Sequence, residues 1–246
     1  MVYLPENSYT RQVLNRAVGK ALHRYNMISD GDRIAVGLSG GKDSLTLMRI
    51  LKDRQSYVPV KYELLGVYID PGFPGSFSPS LEKYCSEKKD YLRVDYTDCG
   101  IIGHSPRNRE NPCFLCSRLR RKRLFDISAE LGCNKLALGH NKDDIIETLF
   151  LNICYAGEIS TMVPSQSLFN GRLRVIRPLA FVDEETIRQF AAENNLPEFA
   201  NPCPTAKISK RQEIKTLLNS LYRSNKKIKG NIFSAMRHVK SEYLLK

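Results

Sequence analysis

The chain has 246 residues, of which 42% are hydrophobic and 26% are charged, as expected of one sizeable α/β domain with a small appendage. Its formal net charge of +12 indicates a polyanionic partner, although a basic surface without a ligand would give the same charge. The N-terminus lacks an apolar signal segment, and no apolar run reaches the roughly 18 residues of a membrane span. We therefore expect a cytoplasmic protein without a membrane partner.

Helical and strand patterns alternate along most of the chain. Helical spacing covers residues 9–27, 45–51, 81–89, 114–131, 143–155 and 186–194. Apolar runs typical of strands cover residues 33–38, 62–70, 91–96 and 135–138. Residues 97–112 lack periodicity and predict an irregular loop, whereas Asn170-Gly171 predicts a hairpin within 168–177. The alternation predicts a parallel sheet with right-handed crossovers, whose ligands bind beyond the carboxyl ends of the strands.

The C-terminal part of the chain differs in composition from the rest. From Lys207 to Lys246 there are eleven lysines and arginines but only two acidic residues. Interleaved apolar residues predict two amphipathic helices with a basic face, and such a face either is simply solvated or binds nucleic acid. We favour RNA binding, through Lys226, Lys227 and Lys229. These features divide the chain into an N-terminal helix at 1–30, a core domain at 31–200 and a basic helical segment at 201–246.

Residues 39–44 carry the motif Ser-Gly-Gly-Lys-Asp-Ser between a predicted strand and a predicted helix. This arrangement directs backbone N–H groups and the positive end of the helix dipole at one anion, and the glycines allow close approach. The spacing fits neither the Walker A loop nor the dinucleotide-binding fingerprint. It matches the S-G-G-x-D-S loop of enzymes that split ATP into AMP and pyrophosphate. We predict ATP contacts from Ser39, Gly40, Gly41, Lys42, Asp43 and Ser44, with Mg²⁺ between Asp43 and the phosphates.

Cys113 and Cys116 form a C-x-x-C pair, and Cys203 lies between two prolines at the start of the C-terminal segment. A redox pair would leave Cys203 without a role, whereas three thiolates on an iron–sulfur cluster would leave one iron open for chemistry. A closed zinc site would need a fourth ligand, for which the candidates are Cys99, His104 and His140. The residues alone do not decide between cluster and zinc. Four cysteines are expected to be core or incidental thiols, namely Cys85, Cys99, Cys133 and Cys154.

Residues 118–123, directly after the C-x-x-C pair, contain five cations among six residues. They fall on the first turns of a predicted helix, where positive charge opposes the helix dipole. Phosphate of ATP or of an RNA backbone would compensate this charge, while a solvated basic face is the alternative. We predict RNA contacts from Arg118, Arg121 and Arg123.

A second acidic motif, at residues 138–144, again follows a strand and opens a helix. Asp143 or Asp144 could merely cap that helix. The strand should nevertheless neighbour the ATP loop, so Asp144 could share Mg²⁺ with Asp43 or act as a general base. His140 could contact the nucleotide or a nucleobase, or be merely structural. Asp70, which ends the strand at 62–70, is assigned with them to the nucleotide site.

These motifs together resemble those of the tRNA 2-thiocytidine synthetases, iron–sulfur members of the PP-loop ATP pyrophosphatase superfamily. The matching segments are GDRIAVGLSGGKDS (31–44), PCFLCSRLRR (112–121), LGHNKDDIIETLFLN (138–152), IRPL (176–179), the Cys203 segment with RQ (211–212), and FSAMRHV (233–239). The resemblance implies a Rossmann-like parallel sheet of the adenine nucleotide alpha hydrolase type, with an N-terminal helix and basic C-terminal helices. One departure is Ala206, where many members of the family have another cysteine.

The resemblance also implies the cofactors and their ligands. It implies a [4Fe–4S] cluster held by Cys113, Cys116 and Cys203, with the fourth iron open to sulfide, and ATP with Mg²⁺ in the loop at 39–44. Arg120 and Gly139 are implied as nucleotide contacts, and Asp144, with Asp43, as a catalytic residue.

The activity implied is ATP-dependent thiolation of tRNA. AMP would be transferred to the C2 oxygen of a pyrimidine, with cytidine 32 of the anticodon loop as the expected target, and sulfur would then replace that oxygen. A cysteine desulfurase or free sulfide would supply the sulfur, and a homodimer is left open. The alternatives are a 2-thiouridine synthetase, an adenylating amidase or lysidine-type ligase, and a non-catalytic protein that binds ATP and RNA.

Overall fold

The computed structural model describes residues 8–205 and 210–245. The expectations for Ala206, Lys207 and Lys246 lie outside these ranges. The chain divides into two compact units. The first unit comprises Met1–Asn141 and Val163–Ala206, and the second comprises Lys142–Met162 and Lys207–Lys246. These boundaries differ from the three segments that composition suggests.

The first unit contains a six-stranded sheet and its covering helices. The strands are β1 (Asp32–Leu38), β2 (Tyr62–Asp70), β3 (Leu92–Tyr96), β4 (Lys135–Leu138), β5 (Ser165–Leu168) and β6 (Leu173–Ile176). The helices are α1 (Tyr9–Arg24), α2 (Lys42–Arg54), α3 (Ser78–Glu87), α4 (Cys99–Gly103), α5 (Pro112–Glu130) and α7 (Glu184–Glu193). The helix α6 belongs to the second unit. The alternation of strands and helices expected from the sequence is confirmed.

The strand order is β3-β2-β1-β4-β6-β5, and every pairing is parallel except that of β5 with β6. The exception is the hairpin expected around Asn170-Gly171, where Asn170 has a φ of 56° and Gly171 a φ of 88°. In the centre, Val36 of β1 is paired with Gly66 of β2 and with Ala137 of β4. The predicted neighbourhood of the strands before the two acidic motifs is therefore confirmed.

Helices cover both faces of this sheet. Alternate residues of each strand point to opposite faces, and the apolar residues on each face pack against helices. On β1, Ile34 and Val36 belong to the core shared with α1, α2 and α7, whereas Ala35 belongs to the core shared with α5. The α1 helix is tied to α7 by Ser8 and Thr10, whose hydroxyls donate to Glu193 at 2.7 and 2.6 Å. The result is a three-layered α/β/α unit with the strand ends open at one edge.

The second unit is helical in the part that the structure describes. Its helices are α6 (Lys142–Leu151), α8 (Lys210–Ser224) and α9 (Ile228–Ala235). They share a small apolar core centred on Ile146, Ile214 and Leu218, so the two amphipathic C-terminal helices expected from the sequence are confirmed. Within 8–205 and 210–245, no helix combines the length and the apolar character needed to cross a lipid bilayer.

Two local expectations were wrong. Residues 97–112 were expected to form an irregular loop, yet they contain the short helix α4, whose Gly100 N–H donates to Pro71 O at 2.9 Å. The α-helix expected over 143–155 ends at Leu151 and continues as a wider π-helical turn over Asn152–Ala156. Neither departure could be predicted from hydrophobic periodicity. The helix α4 depends on a tertiary backbone contact, and the widening of a helix into a π-helical turn hardly changes the spacing of apolar residues.

Candidate active site

The loop after β1 is folded by its own hydroxyl groups. Ser44 Oγ donates to Gly41 O at 2.9 Å and accepts from Ser39 N–H at 3.1 Å, so both serines hold the turn at the start of α2. Gly40 has a φ of 76°, and a Cβ there would lie 2.5 Å from the ring of Phe77. This position therefore requires glycine.

Lys42 and Asp43 occupy the first turn of α2. Lys42 Nζ lies 3.3 Å from Glu184 Oε1, at the start of α7, and 3.8 Å from Asp43 Oδ2. An acidic side chain here interacts favourably with the positive end of the helix. The predicted ATP and Mg²⁺ ligands are thus adjacent, and Glu184 holds the lysine beside them.

The segment after β4 packs directly on this loop. A Cβ at Gly139 would lie 3.0 Å from Ser44 N and 3.1 Å from the carbonyl carbon of Asp43, so any side chain here would crowd the backbone of the loop. Gly139 therefore belongs to the same edge as the loop, as predicted. Its neighbour His140 accepts through Nδ1 from Arg177 Nε at 3.4 Å.

Arg177, which follows β6, is a buried cation at the same edge. Its Nη1 donates to Val163 O at 2.6 Å. Burial, together with a smaller contribution from repulsion by Arg121 on α5, lowers the pKa of Arg177 to about 10. The two positive charges therefore repel each other, an arrangement that an anion would stabilise.

Asp70, at the end of β2, is fully buried and shapes the loop that follows it. Its carboxylate accepts from the hydroxyls of Ser76 and Ser78 and from Gly72 N–H, the last at 2.8 Å. Burial opposes ionisation, but these three hydrogen bonds outweigh it and hold the pKa of Asp70 below its usual value. The nucleotide contact predicted for Asp70 stays a prediction, with the carboxylate engaged by its own loop.

Arg120 lies on α5 between this edge and the cysteines. Its guanidinium is close enough to Asp70, Cys99 and Cys116 to act on the ionisation of all three. Among the described residues, its buried Nε finds no hydrogen-bond acceptor. A buried donor without a partner is unfavourable, so the site fits an anionic ligand at Arg120.

The C-x-x-C pair is placed by the cap of α5. Asn111 Oδ1 accepts from the N–H groups of Cys113 and Phe114 at 3.0 and 3.3 Å, and Pro112 occupies the first helical position. The helix therefore begins at the first cysteine. Cys116, three residues later, falls on the same side of the helix.

Cys203 comes to the same place from the segment after α7. Cys113 Sγ lies 3.4 Å from Thr205 Oγ1, and Cys203 Sγ lies 3.5 Å from the same oxygen. The charge of Cys203 also contributes to raising the pKa of Cys116, so the two sulfurs are near each other. The structure thus brings together the three cysteines that the sequence singled out.

A fourth cysteine is present beside them. A hydrogen bond from the Cys116 thiol lowers the pKa of Cys99 to about 6, and the Thr97 hydroxyl, 3.1 Å from the sulfur, acts in the same direction. The same bond raises the pKa of Cys116. Cys99 was expected to be a core or incidental thiol, and it is buried in the apolar core of the first unit, where it also interacts with Cys116.

In the second unit, the predicted acidic residues have basic partners. Asp144 Oδ1 accepts from Arg211 Nη1 at 3.0 Å, and Asp143 Oδ1 lies 2.6 Å from Lys229 Nζ. Arg211 also contacts Glu147, at 3.3 Å. The catalytic role of Asp144 and the RNA contact of Lys229 both stay predictions, and RNA at Lys229 would have to compete with Asp143.

The basic residues proposed for RNA differ in how exposed they are. Arg121, Lys226 and Lys227 are exposed. Arg118 is exposed too, with Glu110 at 3.4 Å. Arg123 instead forms two bonds to Asp95, at 2.6 and 2.9 Å, so its RNA contact stays a prediction that would require this ion pair to open.

A family model described as a PP-loop domain matches residues 10–220. A tRNA-cytidine(32) 2-sulfurtransferase of Geotalea uraniireducens is 40% identical over 248 residues, covering 100% of this chain and 98% of the relative. One of Geobacter sulfurreducens is 42% identical over 236 residues, covering 94% of this chain and 91% of the relative. This chain belongs to the tRNA-cytidine(32) 2-sulfurtransferase family. The resemblance read from the motifs is confirmed, as is the expectation of an enzyme.

Solved structures support the fold. The U34-tRNA thiolase NcsA from Methanococcus maripaludis, solved with its [4Fe-4S] cluster, superimposes with a TM-score of 0.79 at 24% identity, covering 96% of this chain and 80% of that one. An NH3-dependent NAD synthetase from Campylobacter jejuni gives a TM-score of 0.53 at 14% identity, covering 96% of this chain and 95% of the synthetase. The predicted PP-loop α/β fold of this family member is confirmed.

Several residues of the site were not found from the sequence. Glu184 and Thr205 carry no motif, and only the folded chain brings them to Lys42 and to the cysteines. Arg177 lies in the IRPL segment, which indicated the family but did not predict a buried cation beside His140. His104 was considered only as a zinc ligand.

Proposed function

We propose that the chain is an ATP-dependent tRNA 2-sulfurtransferase that acts on a cytidine of the anticodon loop, with cytidine 32 as the target. The observation that carries the proposal is the convergence of Cys113, Cys116 and Cys203 beside Arg120, whose charge also reaches Asp70 at the nucleotide edge. An ATP loop alone would fit many adenylating enzymes. Three grouped thiols distinguish a sulfur-transfer enzyme from an amidase or a lysidine-type ligase.

The loop at 39–44 would bind the β- and γ-phosphates of ATP. Its backbone N–H groups and Lys42 supply positive charge, and Gly139 keeps the neighbouring segment close enough to close the site. We propose Mg²⁺ at Asp43, because a carboxylate at a phosphate site needs a cation between the two anions. Asp144 is proposed as the acidic catalytic residue on the family resemblance.

The chemistry proposed requires two substitutions. The C2 oxygen of the pyrimidine attacks the α-phosphorus, the bond from that phosphorus to the bridging oxygen breaks, and pyrophosphate leaves with its charge neutralised at the loop. The oxygen, a poor leaving group in the free base, now departs as part of AMP. Sulfur at the oxidation level of sulfide forms the new bond at C2, so no electrons enter or leave overall.

The cysteines fit a [4Fe–4S] cluster. Cys113 and Cys203 reach the same hydroxyl group from separate segments, Cys116 lies beside them, and all three are free thiols. Among the described residues, no group of three His, Cys, Asp or Glu side chains is arranged to hold a single metal ion. A cluster binds each thiolate at a different iron, so its ligands stand further apart. Held by three thiolates, the cluster would supply an iron that can carry the sulfur.

The exposed cations would bind the tRNA. Arg118 and Arg121 lie on the same helix as two of the cysteines, and Lys226 and Lys227 are exposed in the basic C-terminal part. We propose that their contacts are mainly to phosphate, which would make binding strongly dependent on salt. A cysteine desulfurase or free sulfide as sulfur donor, a cytoplasmic location and a homodimer belong to the same proposal.

Nucleoside mass spectrometry of tRNA tests this function. In a strain that lacks the gene, 2-thiocytidine should be absent and should return with the wild-type chain. Cys113→Ala should abolish thiolation and cluster loading but leave ATP binding intact, whereas Asp43→Ala should stop adenylation and leave the cluster spectrum unchanged. Cys154→Ala, which removes an exposed cysteine of the second unit, is the matched control.

The outcome also separates the alternatives. Restoration of 2-thiouridine instead of 2-thiocytidine would identify a uridine-specific enzyme. A chain that binds ATP and tRNA but releases no pyrophosphate would be a binding protein, and thiolation by cluster-free protein would refute the role of iron.

A further inference from the structure

An aromatic ring is exposed to solvent beside the cysteines. Phe114 follows Cys113 in the first turn of α5, and 58% of its surface is exposed. Its backbone N–H donates to Asn111 Oδ1 in the cap of the helix, but any residue except proline could supply that group. The ring itself is therefore not needed to start the helix. Single exposed rings are common on protein surfaces, so the neighbours of Phe114 decide what it could bind.

The stripe of α5 that carries this ring is otherwise basic. Residues four and seven positions after Phe114 face the same side of a helix, and they are Arg118 and Arg121, both exposed. The guanidinium carbon of Arg118 lies 5.6 Å from the centroid of the ring, within the range of a cation–π interaction. Arg118 Nη2 also lies 3.4 Å from Glu110 Oε1. Two planar groups, one aromatic and one cationic, are therefore adjacent on the surface.

The surroundings of this pair favour a polyanion. Residues 107–123 contain seven lysines and arginines and a single acidic residue, Glu110. Glu110 also lines a cleft of about 510 Å³, whose other residues include two arginines together with Ile101 and Ile102, each 49% exposed. Unpaired RNA presents phosphates and flat bases together, so it matches apolar groups that stand among cations. The core of a protein–protein interface is instead depleted of charge, which makes a protein the less suitable occupant.

The ring lies next to the cysteines but does not point the same way. Successive residues of a helix point about 100° apart, so Phe114 faces away from the direction of Cys113. Cys116, two residues further on, is buried, whereas the ring is exposed. A base stacked on Phe114 would therefore be a neighbour of the base that reacts at the sulfurs. A phenyl ring has no hydrogen-bonding group, so it would bind this neighbour through its flat face, whatever the identity of the base.

We propose that Phe114, with Arg118 beside it, is a stacking site for an unpaired nucleobase next to the target cytidine. The stacked base would anchor the RNA strand and keep the target base away from its neighbour, at the cysteines. Arg118 has several N–H donors and can contact a phosphate as well. The proposal rests on the proposed function, since it takes an RNA loop to be the substrate, and it adds a substrate-binding residue that is neither a cation nor a cysteine.

Photocrosslinking of a tRNA anticodon stem-loop to the anaerobically loaded protein tests the position of the ring. 5-Iodouridine, which crosslinks efficiently to a stacked aromatic side chain, replaces each unpaired base of the loop in turn. In the wild type, a position next to the target cytidine should give a crosslink that peptide mapping places at Phe114. Phe114→Leu keeps an apolar side chain but removes the flat ring, so this crosslink should disappear. Phe114→Tyr keeps the ring and should retain the crosslink.

The affinity for tRNA separates stacking from charge. Phe114→Leu should weaken binding about tenfold, the size expected for the loss of one stacked base, and should leave the slope of log affinity against log salt unchanged. An unchanged visible spectrum of the loaded variant shows that the cysteine site is intact. Tyr57→Leu is the matched control. Tyr57 is 57% exposed and has Arg54 at 5.5 Å from its ring, but it follows the end of α2 that is remote from the ATP loop, so the affinity should not change.

The results distinguish failure of this inference from failure of the proposed function. If the wild type binds and thiolates tRNA but gives no crosslink at Phe114, and Phe114→Leu binds as tightly as the wild type, the inference is overturned and the function stands. If Phe114→Leu slows only the transfer of sulfur from a protein donor, and not from free sulfide, the ring belongs to a protein-docking surface and the inference is again wrong. If the wild type binds no tRNA, the function and the inference both fail.

Discussion

At the scale of single residues, Asp70 illustrates how the edge of the sheet is organised. The sequence showed only a carboxylate at the end of a strand, whereas in the folded chain it accepts from two serines and a backbone N–H. Those partners lie within eight residues, but their convergence depends on the path of the loop, which hydrophobic patterning does not encode.

Asp70→Asn should therefore destabilise the protein by about 2 kcal/mol at neutral pH, because the amide cannot accept from all three donors. The pKa of Asp70 in the folded protein lies below its ordinary value of 3.8. Its contribution to stability is present above that ordinary value and is lost as the pH falls through the lower folded-state pKa. Denaturant titrations should show the gap between wild type and variant narrowing in acid. Asp126→Asn, at an exposed aspartate, is the control, and a pH-independent gap would contradict the account.

The repulsion between Arg121 and Arg177 destabilises the protein, although Arg121 is proposed to contribute to tRNA binding. Burial and the nearby Arg121 both disfavour the charge on Arg177 in the free protein. Arg121→Gln should therefore raise the free energy of unfolding slightly, by less than about 1 kcal/mol because Arg121 is exposed, and should weaken tRNA binding.

Lys122→Gln removes the same charge from the next exposed position of the helix and should leave stability unchanged. Calorimetry and filter binding measure the two effects. If both variants changed stability equally, the specific repulsion between the two arginines would be refuted.

At the scale of elements, the helix predicted over 114–131 is found as α5, which begins two residues earlier, at Pro112. The Asn-Pro-Cys sequence gives a cap, a first-turn proline and a cysteine at the helix start, all of which are local features. The sequence could not predict that Cys203, Thr205 and His104 lie beside that helix, because these contacts join segments far apart in the chain.

The basic C-terminal helices carry a separate prediction. Lys226 and Lys227 are exposed just before α9, whereas Lys229 lies 2.6 Å from Asp143. Lys226→Glu combined with Lys227→Glu should reduce the slope of log affinity for tRNA against log salt by about 2, since each phosphate contact contributes about one unit.

Lys61→Glu combined with Lys83→Glu makes the same change of charge at exposed positions of the first unit. This control should change affinity through net charge but leave the slope nearer that of the wild type. Equal slopes for both double variants would exclude the C-terminal basic residues as the docking surface.

At the scale of the whole molecule, the sequence was sufficient for the fold class and for the neighbouring positions of β1 and β4. Strand–helix alternation and the handedness of crossovers leave few arrangements for such a sheet. The assignment of Lys142–Met162 to a unit with the C-terminal helices was not foreseen. Its apolar positions are those of an ordinary helix, and only the complementary residues of α8 and α9 reveal where they pack.

The central claim is that ATP cleavage at the glycine loop and sulfur delivery at the three cysteines belong to one reaction at C2 of a cytidine. The most direct test is to count the AMP and the 2-thiocytidine formed by anaerobically loaded protein with tRNA, ATP and sulfide. The account predicts one AMP for each 2-thiocytidine, with Cys203→Ser producing no 2-thiocytidine. Formation of ADP in place of AMP, or 2-thiocytidine formed by Cys203→Ser without a cluster, would contradict it.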